Sequence, residues 1–450
     1  MAAAEERVDS KFDEFCHICA TVTIGFERVC ALECERKLTC KVHLGRGRIY
    51  FDIPRTELGK IKDLRSVENL FVVVSDIACF KSSADESVEE ILERFYHLPE
   101  ELNWESAIRI WKEFNEFSSD INTVKNVLPI LNLKSHTTVA KQEIESANPI
   151  GSPDEERSDP IGSVESHNLS VEQTKAGIIL PRFRVTCTRT HSAPSQKHPF
   201  TSMQAAAKFG GAINDQFGWI VDLENFDLEV LLNIVDSHVV VGVSLTKESL
   251  FRRNIVNFGP TTLRSTLAYC LTLLADIKKG DVVCDPLCGS GAIPIECASE
   301  WPCSFNISGD NFHSAPPRTQ DNVTYVNNQR SAENKKSVTV ETFLWDACRL
   351  PLKTNAVDVF ITDLPFGKKS GSMVKNWQLY PEVLFEMARV CQVKTGRAVI
   401  LTKDKKAISK AFTQTAQFWR KRFTYWINIG GLQAGVYVLQ RTASAMQNSS

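Results

Sequence analysis

Asp285-Pro286-Leu287-Cys288-Gly289-Ser290-Gly291, directly after the apolar run Val282-Val283-Cys284, is the stretch on which the fold is read. A buried strand that ends in an acid and turns through two glycines into a helix opens a crossover of a parallel sheet. Ligands of such sheets bind beyond the carboxyl ends of the strands. A second stretch, Asp363-Leu364-Pro365-Phe366-Gly367, follows Val357-Asp358-Val359-Phe360-Ile361 in the same way. Outward from these two, apolar strand and helix patterns alternate over 282–285, 292–300, 307–310, 338–344, 357–363, 380–390 and 398–402. That alternation predicts a doubly wound α/β sheet. Residues 426–439, turning through Gly430-Gly431, read as an antiparallel hairpin at its edge, with Gly435 marking a bulge.

A chain of 450 residues exceeds one ordinary core, so two or three domains are expected. Its 43% hydrophobic and 24% charged residues are those of a globular protein, with no apolar run long enough to span a membrane. The formal charge of −2 means that any basic surface is local. Residues 1–13 lack the apolar centre of a secretory signal. The fourteen cysteines are scattered; Cys16 and Cys19 make one C-x-x-C with no second pair at zinc spacing, so reduced thiols and no metal are expected. A cytoplasmic location follows from that reading.

Upstream, strand patterns at 19–23, 49–53 and 71–74 and helix patterns at 27–38, 64–70, 89–95 and 104–117 predict a small α+β domain. Between 141 and 180 eight acids face three basic residues without apolar periodicity, which reads as a flexible acidic linker. Order resumes with an alternating strand at 183–187, a helix capped by Thr201, and a hairpin turning at Asp236-Ser237. Arg182, Arg184, Arg189, Lys197 and Lys208 fall in 181–214, a window without acids, and suggest contact with a phosphate backbone. A second basic run, 403–422, has Asp404 as its one acid.

The two loops carry the chemistry. Gly289 and Gly291 let a ligand approach the backbone, but Ala292-Ile293-Pro294 breaks the dinucleotide fingerprint, and no Gly-Lys-Ser/Thr follows. Asp285 with Pro286 and Cys288 instead suits a zwitterion such as S-adenosylmethionine, the acid taking the ammonium and the helix start the carboxylate. Asp310 is placed for ribose hydroxyls and Asp346 for the adenine amine. Asp363-Leu364-Pro365-Phe366 resembles the (Asn/Asp/Ser)-Pro-Pro-(Tyr/Phe) motif of enzymes that methylate exocyclic amines of bases. An aryl amine's lone pair is delocalised, so an acceptor carboxylate (Asp363) and a backbone carbonyl (Leu364 or Pro365) are needed to turn it toward the methyl donor. Phe366 would stack on a base taken out of its helix. Lys368 and Lys369 follow, suited to neighbouring phosphates.

The stretch 183–250, with Phe258-Gly259-Pro260-Thr261-Thr262-Leu263-Arg264 and the two loops, resembles the THUMP-domain tRNA guanosine-N2 methyltransferases. The resemblance implies a ferredoxin-like N-terminal domain with the start of the THUMP region at 15–134, a linker at 135–180, and a THUMP RNA-binding domain at 181–250. It implies a Rossmann-like class I methyltransferase domain at 251–442, with Thr261 and Thr262 on a helix that closes over the cofactor. Implied too are S-adenosylmethionine as donor, the N2 amine of guanosine at position 6 of the tRNA acceptor stem as acceptor, and a heterodimer with a small zinc-binding activator subunit of the tRNA methyltransferase 112 type. Methylation of another RNA or of adenine stays open, as does a non-catalytic RNA-binding protein on a degenerate methyltransferase fold. Pro316 and Pro317 stand where the helix after Asp310 should begin, and threaten its first turn.

Overall fold

The computed structural model describes residues 14–80, 86–121, 123, 180–191, 197–367 and 372–444. The expected linker lies outside the described residues except at its last position, and residues 1–13, Lys368 and Lys369 lie outside them as well. Two compact units emerge: Met1–Val74 with Arg109–Glu116 and Gly242–Ser450, and Ser75–Ile108 with Phe117–Val241.

The first unit begins with β1 (Phe15–Thr21), α1 (Glu27–Leu38), β2 (Val42–Gly45), β3 (Arg48–Pro54) and β4 (Asn69–Ile77), ordered β2-β3-β1-β4 with β1 antiparallel to both neighbours. A 3₁₀ helix at Arg55–Asp63 buries Leu58 and Ile61, three residues apart as that helix repeats. The helix expected at 64–70 is absent: Leu64 is extended and β4 starts at Asn69. The reason is a buried carboxylate. Glu33 of α1 accepts the backbone N–H groups of Arg65 at 2.9 Å and Ser66 at 2.8 Å, which an intrahelical carbonyl would otherwise take.

The second unit contains α2 (Val88–His97), the start of α3 (Trp104–Phe114), β5 (Arg182–Thr190), α4 (Ser202–Phe217), β6 (Ile220–Val221), β7 (Leu228–Val235) and most of β8 (His238–Ser244). Its strands run β8-β7-β5-β6, with β5 parallel to β6 and β7. Thr201 and Gln204 form a reciprocal capping box at the start of α4, and Gly218 ends it at φ 73°. Trp104 packs edge to face on Phe217 and Trp219 at the centre, with Phe209 tilted against it.

The rest of the first unit is α5 (Ser265–Leu274), β9 (Val282–Asp285), α6 (Ala292–Glu300), β10 (Phe305–Asp310), α7 (Ala315–Ala332), β11 (Glu341–Leu344), β12 (Val359–Asp363), α8 (Met373–Val390), β13 (Arg397–Thr402), α9 (Lys405–Gln414), β14 (Trp419–Ile429) and β15 (Leu432–Arg441). The order β11-β10-β9-β12-β13-β15-β14 is parallel except for β15, which is antiparallel to β13 and β14. The chain therefore runs outward from β9 to β11 and returns to β12 on the other side of β9. That reversal opens the crevice where ligands of such sheets bind. The irregularity of the final hairpin falls between Lys421 and Phe423, not at Gly435. Gly435 is needed for another reason: a Cβ there would stand 2.7 Å from the Tyr437 hydroxyl oxygen. The prolines do no damage. Pro316 and Pro317 sit in the first turn of α7, where backbone N–H groups have no intrahelical partner.

A buried ion cluster ties the N-terminal strands to α6. Glu296 is fully buried, with Arg65 Nε at 2.8 Å, Asn254 Nδ2 at 2.8 Å and Arg253 Nε at 3.7 Å. Burial alone would push its carboxyl up, yet the Arg65 and Arg253 guanidiniums hold it below the usual range. Glu296→Gln leaves two guanidiniums without their counter-charge and should lower stability by about 3 kcal/mol. Glu35→Gln, which breaks a surface pair with Arg28, should cost under about 1 kcal/mol. Urea unfolding at pH 7 measures both. Because the folded carboxyl titrates below the unfolded one, the Glu296 contribution is complete at neutral pH and is lost on acidification through the folded value.

Candidate active site

Asp285 ends β9 and is 3% exposed. Leu287 N–H donates to its Oδ1 at 3.2 Å. Burial pushes its carboxyl from 3.8 up to about 7, opposed by that N–H and the Thr362 hydroxyl and reinforced by Asp310. An acid so raised stands ready for a cation. Asp363 ends β12, the strand beside β9. Its Oδ1 is enclosed without a hydrogen-bond partner, and burial, with Asp285 nearby, pushes its carboxyl well up.

The glycine loop is built around α7. Gly289 and Gly291 have φ of 55° and 82°, where a side chain is strained. Gly289 N–H donates to Asp310 Oδ2 at 3.1 Å, and Phe312 N–H to Asp310 Oδ1 at 3.0 Å. Cys288 is buried, its N–H on the Gly309 carbonyl at 2.9 Å. The Pro286 carbonyl accepts from Trp345 Nε1 at 3.1 Å. Asp346 is exposed and caps a turn through Cys348 N–H at 2.9 Å. Thr262 bonds Ser290 across their hydroxyls at 2.8 Å, while Thr261 is exposed. Both threonines stand in the loop before α5, which starts at Ser265, rather than on a helix.

Sequence reasoning missed the residues that hold these loops. Asn322 of α7 is buried and uses all its amide bonds: its Oδ1 accepts Val256 and Asn257 N–H, and its Nδ2 donates to the Asn257 and Ser290 carbonyls. On the Asp363 side, the Pro365 carbonyl accepts from Asn376 Nδ2 at 2.8 Å and from the Tyr380 hydroxyl at 2.7 Å. Tyr380 also meets Thr402 Oγ1 at 2.7 Å, and Asn376 lies 3.4 Å from Asp404 Oδ2. A buried asparagine four residues before a tyrosine on one helix face was the available signal. Leu364 is buried and Phe366 half-buried.

In the second unit Arg182, Arg184 and Lys208 meet acids that the linear window hid. The Arg182 guanidinium lies 3.5 Å from Asp227, and the Arg184 guanidinium lies 2.8 Å from Glu229 and 3.9 Å over Phe226. Strand pairing of β5 with β7 brings Arg184 opposite Glu229. Arg189 donates to Ser202 Oγ, Lys208 pairs with Glu93 at 3.2 Å, and Lys197 is exposed.

A seven-stranded, mostly parallel sheet closed by an antiparallel β15, with a glycine loop after its first strand, is the class I methyltransferase fold. Residues 252–435 match the RMKL-like methyltransferase domain family UPF0020, and residues 165–244 match the THUMP domain. The chain is 42% identical to the tRNA (guanine(6)-N(2))-methyltransferase THUMP3 of Homo sapiens, with 99% of this chain and 92% of the relative covered. It is 29% identical to the U6 snRNA (guanine-N(2))-methyltransferase THUMPD2 of Mus musculus, covering 80% and 69%. The crystal structure of TrmN from Thermus thermophilus shares its fold at a TM-score of 0.63 and 21% identity, covering 95% of this chain and 99% of that one. The chain belongs to the THUMP3 tRNA (guanine(6)-N(2))-methyltransferase family.

Gly291 marks a tight point of the site: a Cβ there would stand 2.6 Å from Thr319 Cγ2. Gly280, at φ 88°, has open space instead. Gly280→Ala should cost about 1–2 kcal/mol from backbone strain alone. Gly291→Ala adds overpacking and should cost about 1–3 kcal/mol more, read as a lower urea midpoint.

Proposed function

We propose that this protein transfers the methyl group of S-adenosylmethionine to the N2 amine of guanosine in tRNA, at position 6 of the acceptor stem. The observation that carries the reading is the presence of two acids at the ends of adjacent strands, Asp285 buried and Asp363 half-buried with its Oδ1 enclosed. One suits the ammonium of the donor and the other the amine of the acceptor. The donor set fits the cofactor: Asp285 toward its ammonium, the Gly289–Gly291 turn toward its carboxylate, Asp310 toward ribose and Asp346 toward adenine. When bound, the cofactor supplies an electrophilic methyl group on sulfonium sulfur.

Asp363 accepts one N–H of the guanine amine. The Pro365 carbonyl already serves Asn376 and Tyr380, so the Leu364 carbonyl takes the second N–H. Held by both, the lone pair points out of the ring plane, and Phe366 stacks on the base. The burial that raises the Asp363 carboxyl also makes it the better acceptor for the proton that the amine gives up.

The tRNA substrate draws support from the relatives at about 42% identity, and the THUMP match from 165 to 244 supplies an RNA-binding module. Within it, Arg182, Arg184, Arg189, Lys197 and Lys208 are the candidate contacts, with Lys368 and Lys369 beyond the catalytic loop. We also propose a small zinc-binding activator as partner. The sheet ends at β11, where Phe343 and Leu344 are 44% and 50% exposed, an apolar edge that a partner strand would cover. Among the described residues no helix is long and apolar enough to cross a membrane, and the fourteen free cysteines accord with a cytoplasmic setting.

Radiolabelled methyl transfer to total tRNA and to U6 snRNA, with the activator present, tests the reading. Wild type should label tRNA at N2-methylguanosine, and Asp363→Ala should fall by at least about a thousandfold. Label confined to U6 snRNA or to adenine, or full activity in the variant, would sink it. Tyr380→Phe removes one bond to the Pro365 carbonyl and should lower kcat about tenfold with little change in KM.

The Asp285 carboxyl also sets a pH dependence. Below about pH 7 it is protonated in the free protein, so cofactor binding must displace a proton. Affinity, read by calorimetry, should rise about tenfold per pH unit up to pH 7 and then level off. Asp285→Asn should abolish that slope and weaken binding, while stabilising the cofactor-free protein at pH 8 by up to about 4 kcal/mol.

A further inference from the structure

Two tryptophans flank the catalytic loop with nearly half of their surface in solvent. Trp377 lies near the start of α8 and Trp426 on β14, each 46% exposed. Each is gripped by a lysine of α9. Lys410 Nζ lies 4.7 Å from the Trp377 ring centroid and donates to the Trp377 carbonyl at 2.9 Å. Lys405 Nζ lies 4.3 Å from the Trp426 ring centroid. The edge of Tyr437 supports Trp426 from the sheet, at 6.2 Å between centroids.

Both rings are tied to the loop by short chains of contacts. Asn376, the residue before Trp377, donates to the Pro365 carbonyl. Trp426 pairs with Gly435, and Gly435 pairs with Thr402, whose hydroxyl meets that of Tyr380. Across the sheet Asp363 pairs with Leu401, Leu401 with Val436, and Val436 with Tyr425. Three strand spacings, about 14 Å, therefore separate Asp363 from the Trp426 position. That is the reach of two or three nucleotides, not of a remote surface.

The charge between the rings has one sign. Lys403, Lys405, Lys406 and Lys410 lie in or beside α9, and Asp404 is the sole acid of 403–422. Asp404 is buried and occupied, accepting the Ala407 N–H at 3.0 Å as the cap of α9. Lys405 stands in the first turn of α9, where acids are ordinarily preferred, and its contacts with the Trp426 ring and Gln433 Oε1 supply no counter-charge. A polyanion would supply the missing counter-charge.

We propose that Trp377, Trp426 and the lysines of α9 form an RNA platform beside the active site. The rings stack on bases that extrusion of the guanosine frees from the stem, and the lysines neutralise the flanking phosphates. The inference rests on the reading of the protein as an RNA methyltransferase, and adds a second RNA contact on the catalytic unit itself. Aromatic rings interleaved with lysines suit a nucleic acid strand better than a protein surface, which would meet them with apolar side chains.

The test uses the full chain with its activator. Labelled unmodified tRNA is titrated by fluorescence anisotropy, and S-adenosylmethionine binding is measured in parallel. Trp377→Ala and Trp426→Ala should each weaken tRNA binding by about five- to a hundredfold with cofactor binding unchanged. The Trp→Phe variants, which keep a stacking face, should recover most of the loss, as they would not if the rings merely supported the fold. Lys405→Ala should lower the slope of log affinity against log salt by about one. Wild-type tRNA affinity in both alanine variants overturns the platform, and so does loss of activator binding with tRNA binding intact. If wild-type protein itself neither binds nor methylates RNA, the underlying reading fails, which the same titration distinguishes from failure of the platform alone.

Discussion

Two carboxyl groups at the ends of adjacent strands, Asp285 on β9 and Asp363 on β12, cannot both carry charge in a buried crevice without something to answer them. Their nearness comes from the chain reversal between β11 and β12, which places the fourth parallel strand beside the first. The surroundings serve to keep this tension in place. Asn322 laces the glycine loop to α7, and Asn376 with Tyr380 pins the Pro365 carbonyl to α8. Burial favours the protonated acids in the cofactor-free site, and a cation at Asp285 or an amine at Asp363 would favour the ionised form.

A second buried charge has a structural part. Glu33 and Glu296 are each enclosed, the first taking the backbone N–H groups of Arg65 and Ser66 and the second the Arg65 side chain. Arg65 thus links the α1 and α6 carboxylates, and the N-terminal strands become part of the unit that holds the catalytic sheet. The Ile24 carbonyl, which accepts Asn428 N–H at 2.9 Å, ties the same segment to the final hairpin.

The parallel sheet was legible because buried strands and amphipathic helices differ in period, and because glycine and proline punctuate the turns at Gly289, Gly291 and Pro365. Asp285, Asp310 and Asp363 could be named as candidates for the same reason: each ends a strand. What stayed hidden depends on partners distant in sequence. The helix expected at 64–70 lost its backbone donors to Glu33. The basic window 181–214 contains no acid, yet β7 sets Glu229 beside Arg184. Asn376 and Tyr380 look like ordinary helix residues until α8 folds back over the loop.

Strand and helix order, the glycine and acid-Leu-Pro-Phe turns at strand ends and the capped starts of helices were determined by the sequence itself, because each depends on neighbours within a few positions. The tertiary structure decided that the Pro365 carbonyl is already occupied, which cations have a counter-charge, and which tryptophans remain in solvent. Those outcomes follow from hydrogen bonds and charge pairs between residues tens to hundreds of positions apart. Only the closed sheet brings such partners within bonding distance.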